Sequence, residues 1–129
     1  MGLHVLLIED EPNIAEAIRF ILSRDGFSVS TYGDGQDAVA QVVSLRPDIL
    51  ILDVMLPGQS GYDILGQLRQ RAGFADLPVL MLTAKGQGRD RETAARVGAD
   101  MFMTKPFSNA EILAAVRSLG RGLTLRGAE

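Results

Sequence analysis

Four short stretches carry side chains suited to chemistry on a charged group: Glu9-Asp10-Glu11, Asp53, Thr83 and Lys105. Each ends or directly follows an apolar run. Three or four carboxylates brought together repel one another, which raises at least one pKa unless a cation neutralises them. An all-oxygen donor set with no His or Cys suits Mg²⁺, which keeps waters and accepts an incoming phosphoryl group. Lys105 adds a point charge for one phosphate oxygen and Thr83 a hydroxyl for another. Such a set describes a phosphoryl-transfer site in which a carboxylate could be the nucleophile. Taken singly, each residue has a plainer explanation. Asp53 could merely end its strand, Glu9 and Asp10 could be loop acids favoured by a helix dipole, and Lys105 could be a solvated lysine. It is their joint occurrence at strand ends that coincidence explains poorly.

The elements that must position them follow from periodicity. Residues 48–53 read DILILD, an unbroken apolar run ending in Asp53, as expected of a strand covered on both faces by helices. Pro57-Gly58 then turns the chain. Residues 3–8 are expected to form a buried strand, 78–83 another apolar strand and 101–104 a short one, and 27–32 alternates apolar residues with Ser and Thr, as a strand nearer the sheet edge would. Helices are expected from Pro12 to Gly26, after Gly33-Asp34-Gly35, from Ser60 or Gly61, over about 89–97, and from Ser108 with Glu111 at capping-box spacing. Five strands alternating with five helices imply a doubly wound α/β fold with a parallel sheet, in which ligands collect beyond the carboxyl ends of the strands. Asp53 is therefore the first candidate for the reacting group. Residues 1–119 are expected to form one domain, and 120–129, with three glycines at 120, 122 and 127 and no clear period, read as a frayed tail or the start of a linker to a missing effector domain.

Composition narrows the function classes. The chain has 129 residues, 47% hydrophobic and 22% charged, enough for one core. The absence of cysteine excludes a disulfide scaffold and thiol catalysis. A net charge of −3 gives no support for nucleic-acid binding by this domain. No apolar run approaches the roughly 20 residues that span a bilayer, so no membrane contact is expected and a cytoplasmic location is the default. His4, the single histidine, lies within the first strand and is read as structural.

Taken together in this order, VLLIEDEP, DILILDVMLPGQSGYDIL, VLMLTAK and GADMFMTKPF resemble the receiver domains of bacterial two-component response regulators, over about residues 3–119. The resemblance implies a flavodoxin-like fold with strand order 2-1-3-4-5, phosphoryl transfer from a phosphohistidine on a histidine kinase or phosphotransfer protein, and Mg²⁺ as cofactor. It implies Asp53 as phospho-acceptor, with Asp10, Asp53 and the Met55 backbone carbonyl as metal ligands and Glu9 acting through water or at longer reach. Lys105 would pair with Asp53 at rest and with the phosphoryl oxygens afterwards. Thr83 would hydrogen-bond the phosphoryl group, Ala84 would leave the approach open, and Thr83 and Phe102 would form the switch. Lys105-Pro106 is expected cis, and glycines 86 and 88 are expected to leave their loop responsive.

Two departures matter. Met55 has an apolar side chain beside the path of an attacking water and cannot orient it, which implies a comparatively long-lived phosphoaspartate. Arg91, Asp100, Glu111 and Arg117 resemble parts of a charged dimer face on the fourth helix, fifth strand and fifth helix, but Met101 and Ala115 stand where an acid and an arginine are common. A homodimer through that face is thus possible but lacks one charge pair. The rival classes are a haloacid-dehalogenase-like phosphatase, which needs an acid where Met55 stands, and a phosphorylation-independent interaction module. The first strand is followed by no Gly-rich phosphate loop, which argues against nucleotide binding. Such a receiver is a signalling domain and not an enzyme beyond assisting its own phosphorylation and dephosphorylation.

Overall fold

A computed structural model describes the backbone of residues 2–84 and 88–127, with the side chains of all but 88–90 and 123–127. Its elements follow in strict alternation: β1 (His4–Ile8), α1 (Pro12–Arg24), β2 (Ser28–Tyr32), α2 (Ala38–Leu45), β3 (Ile49–Asp53), α3 (Gly61–Arg69), β4 (Val79–Thr83), α4 (Gly88–Val97), β5 (Met101–Thr104) and α5 (Asn109–Gly127). The strands form one sheet in the order β2-β1-β3-β4-β5, every neighbouring pair parallel. This is the expected doubly wound, flavodoxin-like arrangement.

The period of two along each strand divides the core into two layers. Val5, Leu7, Ile49, Ile51, Leu80 and Leu82 face α1 and α5, whose Ile18, Leu22, Ile112 and Val116 are buried against them. Leu6, Ile8, Leu50, Leu52, Val79 and Met81 face the other way, against α2, α3 and α4 through Val42, Ile64, Leu65, Leu68 and Ala94. Every residue of β3 is buried, as its unbroken apolar run predicts. β2, at the edge, is only partly covered.

Local signals placed the helices well. Pro12 opens α1, and Gly26 follows its end with φ of 97°, where a side chain would be strained. Ser60 caps α3 by accepting from the Asp63 N–H. Ser108 and Glu111 exchange reciprocal hydrogen bonds of 2.7 and 3.1 Å at the start of α5.

Strand starts differ by one residue. Leu3, Asp48 and Pro78 lie just outside, and Asp48 instead closes the lower edge, its carboxylate accepting from His4 N–H at 2.7 Å. The larger difference is α5, which does not stop at Leu119 but continues to Gly127. Gly120 is buried there, and a Cβ on it would lie 3.2 Å from Leu3 Cδ1. The glycine that suggests a helix end is the contact that lets the helix lie against β1's entry. Gly86 lies outside the described residues, and Gly88 is the first residue of α4.

Candidate functional site

Parallel pairing brings the carboxyl ends of β1, β3, β4 and β5 to one edge, with Ile8 opposite Leu52, Asp53 opposite Leu82 and Thr83 opposite Thr104. Asp53 is 2% exposed. Its Oδ1 accepts from the Met55 N–H at 3.3 Å and its Oδ2 from Lys105 Nζ at 3.2 Å. Glu9, one residue past β1, is equally buried. Its Oε2 accepts from the Glu11 N–H at 3.1 Å. Its Oε1 is 2.9 Å from Lys105 Nζ, an ion pair with the same ammonium that Asp53 contacts.

The electrostatics follow from burial and crowding. Burial first, and then the Asp53 charge, push the Glu9 carboxyl above the usual glutamate range, against the opposing pull of Lys105 and the Glu11 N–H. For Lys105 burial acts to lower the value, but Glu9 and Asp53 together outweigh it and hold the ammonium above the ordinary lysine value. One lysine thus serves two buried carboxylates from different strands. Asp10, by contrast, is exposed at the lip. Glu9, Asp10 and Asp53 each offer an oxygen within 4.8 Å of the others. With no nitrogen or sulfur donor in the set, it suits a hard divalent cation.

The surrounding loops are held by close backbone packing. Gly61 begins α3 so near β3 that a Cβ would overlap the Asp53 carbonyl oxygen, and its N–H donates to Val54 O at 2.9 Å. Gly35, in the β2–α2 loop, donates to Pro57 O at 2.9 Å, and a Cβ on it would overlap the Gln59 carbonyl oxygen. The loop after Asp53 is therefore pinned from both sides.

All the residues singled out for chemistry converge on this edge. Thr83 is buried at the end of β4, and its carbonyl accepts from Lys105 N–H at 2.7 Å. Ala84 is exposed beside it. Lys105-Pro106 is cis, as expected. Met55 presents its side chain to solvent at 71% exposure. Phe102 stands opposite Met81, two residues before Thr83 on the same face, half-buried against the α2–α4 layer. The four charges of the suspected dimer face are all engaged within the chain. Arg91 lies over the Phe102 ring, Asp100 accepts from Arg69 and from Val79 N–H, Glu111 caps α5, and Arg117 pairs with Asp25.

Sequence reasoning missed Gly35 and Arg69. Arg69 donates to the carbonyls of Phe74, Leu77 and Gly98 at 2.7 to 3.1 Å, tying the α3 end to the turn before β5. Gly35 reads in the sequence only as part of a turn and Arg69 carries no signal at all, since both act on backbone atoms distant in the chain.

A family model described as the response regulator receiver domain matches residues 5–117. The sensory transduction protein RegX3 of Mycolicibacterium smegmatis is 40% identical over 125 residues, which cover 97% of this chain and 52% of that protein. The phosphate regulon transcriptional regulatory protein PhoB of Escherichia coli is 38% identical over 124 residues, covering 96% and 54%. The chain thus spans about half the length of the curated relatives it matches. Among solved structures, the chemotaxis response regulator CheY4 of Vibrio cholerae superposes with a TM-score of 0.86 at 27% identity, over 92% of this chain and 99% of that one. The strand order, the carboxylate edge and these matches agree: the chain belongs to the receiver domain family of two-component response regulators.

Proposed function

We propose that Asp53 accepts a phosphoryl group from a phosphohistidine of a histidine kinase or phosphotransfer protein. The observation that carries this reading is a buried carboxylate held between Lys105 Nζ and the Met55 N–H, beside two further acids. An Asp53 carboxylate oxygen attacks phosphorus, the P–N bond breaks, and its electron pair returns to the donor imidazole. Lys105 follows the charge onto the phosphoryl oxygens, and the Thr83 hydroxyl donates to another of them. Asp10, Asp53 and the Met55 carbonyl would hold Mg²⁺, with Glu9 at longer reach or through water. The ion would neutralise the crowded acids and the incoming phosphoryl charge.

An apolar cavity of about 520 Å³ between α1 and α5, with Ala84 and Lys105 at its rim, offers the donor a place to dock beside Asp53. Among the described residues no helix is long and apolar enough to cross a membrane, and a cytoplasmic receiver meeting a cytoplasmic kinase domain fits this reading. The domain assists only its own phosphorylation and dephosphorylation.

Phosphorylation draws Thr83 towards Asp53, and Phe102 moves into the space released, so that the surface of α4, β5 and α5 changes shape. Because its four charges are engaged internally, that surface favours an apolar contact over a charge-paired homodimer. The output is either a protein–protein contact made by that surface or the control of a DNA-binding effector; the chain spans about half the length of its curated relatives. Mass spectrometry after incubation with acetyl phosphate and Mg²⁺ tests the proposal. A phosphoryl adduct on the wild type and none on Asp53→Asn is expected. An equal adduct on both would overturn the role of Asp53, and no adduct on the wild type would leave a phosphorylation-independent interaction module as the better account.

A further inference from the structure

Arg91 is exposed on α4, and its guanidinium carbon lies 5.4 Å from the centre of the Phe102 ring. Among the described residues it has no carboxylate partner, so its charge is spent on the ring face. Three alanines, Ala94, Ala95 and Ala99, leave a hollow of about 340 Å³ beside that ring. Phe102 is only partly buried against the core beside these small side chains, and Arg91 covers its ring from the α4 side. Phe102 in turn lies on the same sheet face as Thr83, two positions along the register.

We infer that Arg91 is a positioning residue: by stacking on Phe102 it holds the half-buried ring in its resting position and so sets how readily the Asp53 site adopts its phosphorylated arrangement. The inference rests on the reading of Thr83 and Phe102 as the switch of that site. A contact made in one of two states and absent from the other biases their equilibrium by its own free energy. An exposed cation–π contact is small, so the bias is modest and tunable. It also gives the output surface a handle, because an acidic group that draws Arg91 away would release the ring without touching Asp53.

The test compares the wild type, Arg91→Ala and Arg91→Lys in the full chain. Beryllofluoride with Mg²⁺, a phosphoryl mimic, is titrated for affinity. In parallel the chain is labelled with para-fluorophenylalanine, and the Phe102 fluorine signal is assigned through Phe102→Leu. Arg91→Ala is expected to bind beryllofluoride roughly two- to five-fold more tightly, the scale of one exposed cation–π contact. Its ligand-free Phe102 signal should move towards the beryllofluoride-bound position, with Arg91→Lys intermediate because an ammonium stacks less well than a planar guanidinium. Tight wild-type binding with unchanged or weaker binding by Arg91→Ala, and an unmoved signal, overturns the role of Arg91 alone. Failure of the wild type to bind beryllofluoride overturns the phospho-acceptor reading and this inference with it.

Discussion

Lys105 Nζ lies 3.2 Å from Asp53 Oδ2 although the two residues are 52 positions apart in the chain. The same nitrogen lies 2.9 Å from Glu9 Oε1. A single ammonium therefore links the ends of β1, β3 and β5 and offsets the repulsion between two buried carboxylates. The resting site is held by the charges that phosphorylation would redistribute.

Removing the ammonium should expose that repulsion. Lys105→Ala leaves Glu9 and Asp53 buried without their cation, and a loss of about 1–3 kcal/mol in stability is expected. A divalent ion bound among Glu9, Asp10 and Asp53 would take over part of the task. Thermal unfolding with and without Mg²⁺ should then show a larger Mg²⁺-induced rise in Tm for the variant than for the wild type. Equal rises would mean that the ion and Lys105 do not act on the same charges.

Met55 bears on how long a phosphoryl group would persist. Its side chain is in water and can neither donate nor accept a hydrogen bond beside Asp53, whereas Met55→Asn can orient an attacking water. Loss of the phosphoryl group, followed by mass spectrometry over time, should accelerate on the order of tenfold, the value of one added hydrogen bond in the transition state. An unchanged rate would show that the side chain at this position does not reach the water. Stability should be indifferent, because the wild-type side chain packs on little.

The fold and the reacting groups were legible because they depend on local signals: apolar runs for strands, turn glycines and caps for helices, and acids at strand ends. Asp53, Glu9, Thr83 and Lys105 needed only the topology of a parallel sheet to bring them together. What was not legible depends on backbone atoms meeting across the chain. Gly35 reads as an ordinary turn glycine, and only the folded β3–α3 loop reveals that no side chain fits there. Gly120 and Gly122 read as a broken helix because intrinsic propensity penalises them, while packing against Leu3 and Phe27 carries α5 through. The charges of the output face were legible as residues but not as partners, since their pairing with Phe102, Arg69, Ser108 and Asp25 is a tertiary outcome.

Two glycines with opposite surroundings make a paired prediction. A Cβ at Gly35 would meet the carbonyl oxygen of Gln59 and come within 3.0 Å of that of Pro57, both backbone atoms that cannot turn aside. Gly35→Ala should therefore cost about 1–3 kcal/mol and loosen the loop that follows Asp53. A Cβ at Gly122 would meet nothing within 4 Å, and Gly122→Ala inside α5 should add about 0.5–1 kcal/mol by lowering the entropy lost on folding. Urea unfolding midpoints distinguish the two, and a neutral or destabilising Gly122→Ala would argue against a continuous helix to Gly127.

Asp25 sits at the C-terminal end of α1, where the helix dipole disfavours a carboxylate. Arg117 from α5 offsets this, donating from Nε to Oδ2 at 2.8 Å and making a second contact to Oδ1. The Arg117 hydrogen bond holds the Asp25 carboxyl below the usual aspartate value. A carboxyl depressed in the folded state stabilises it fully above the unfolded-chain value of about 3.9, and that contribution disappears as pH falls through the lower folded value. Stability measured from neutral pH down to acid should thus place the wild type above Asp25→Asn at neutral pH, with the two curves converging below pH ~4. The pair is exposed, so added salt should narrow the gap. A gap that survives both acid and salt would mean that Asp25 acts through its shape at the helix end and leaves Arg117 free for a partner on the output face, reopening the charge-paired dimer that its engagement here disfavours.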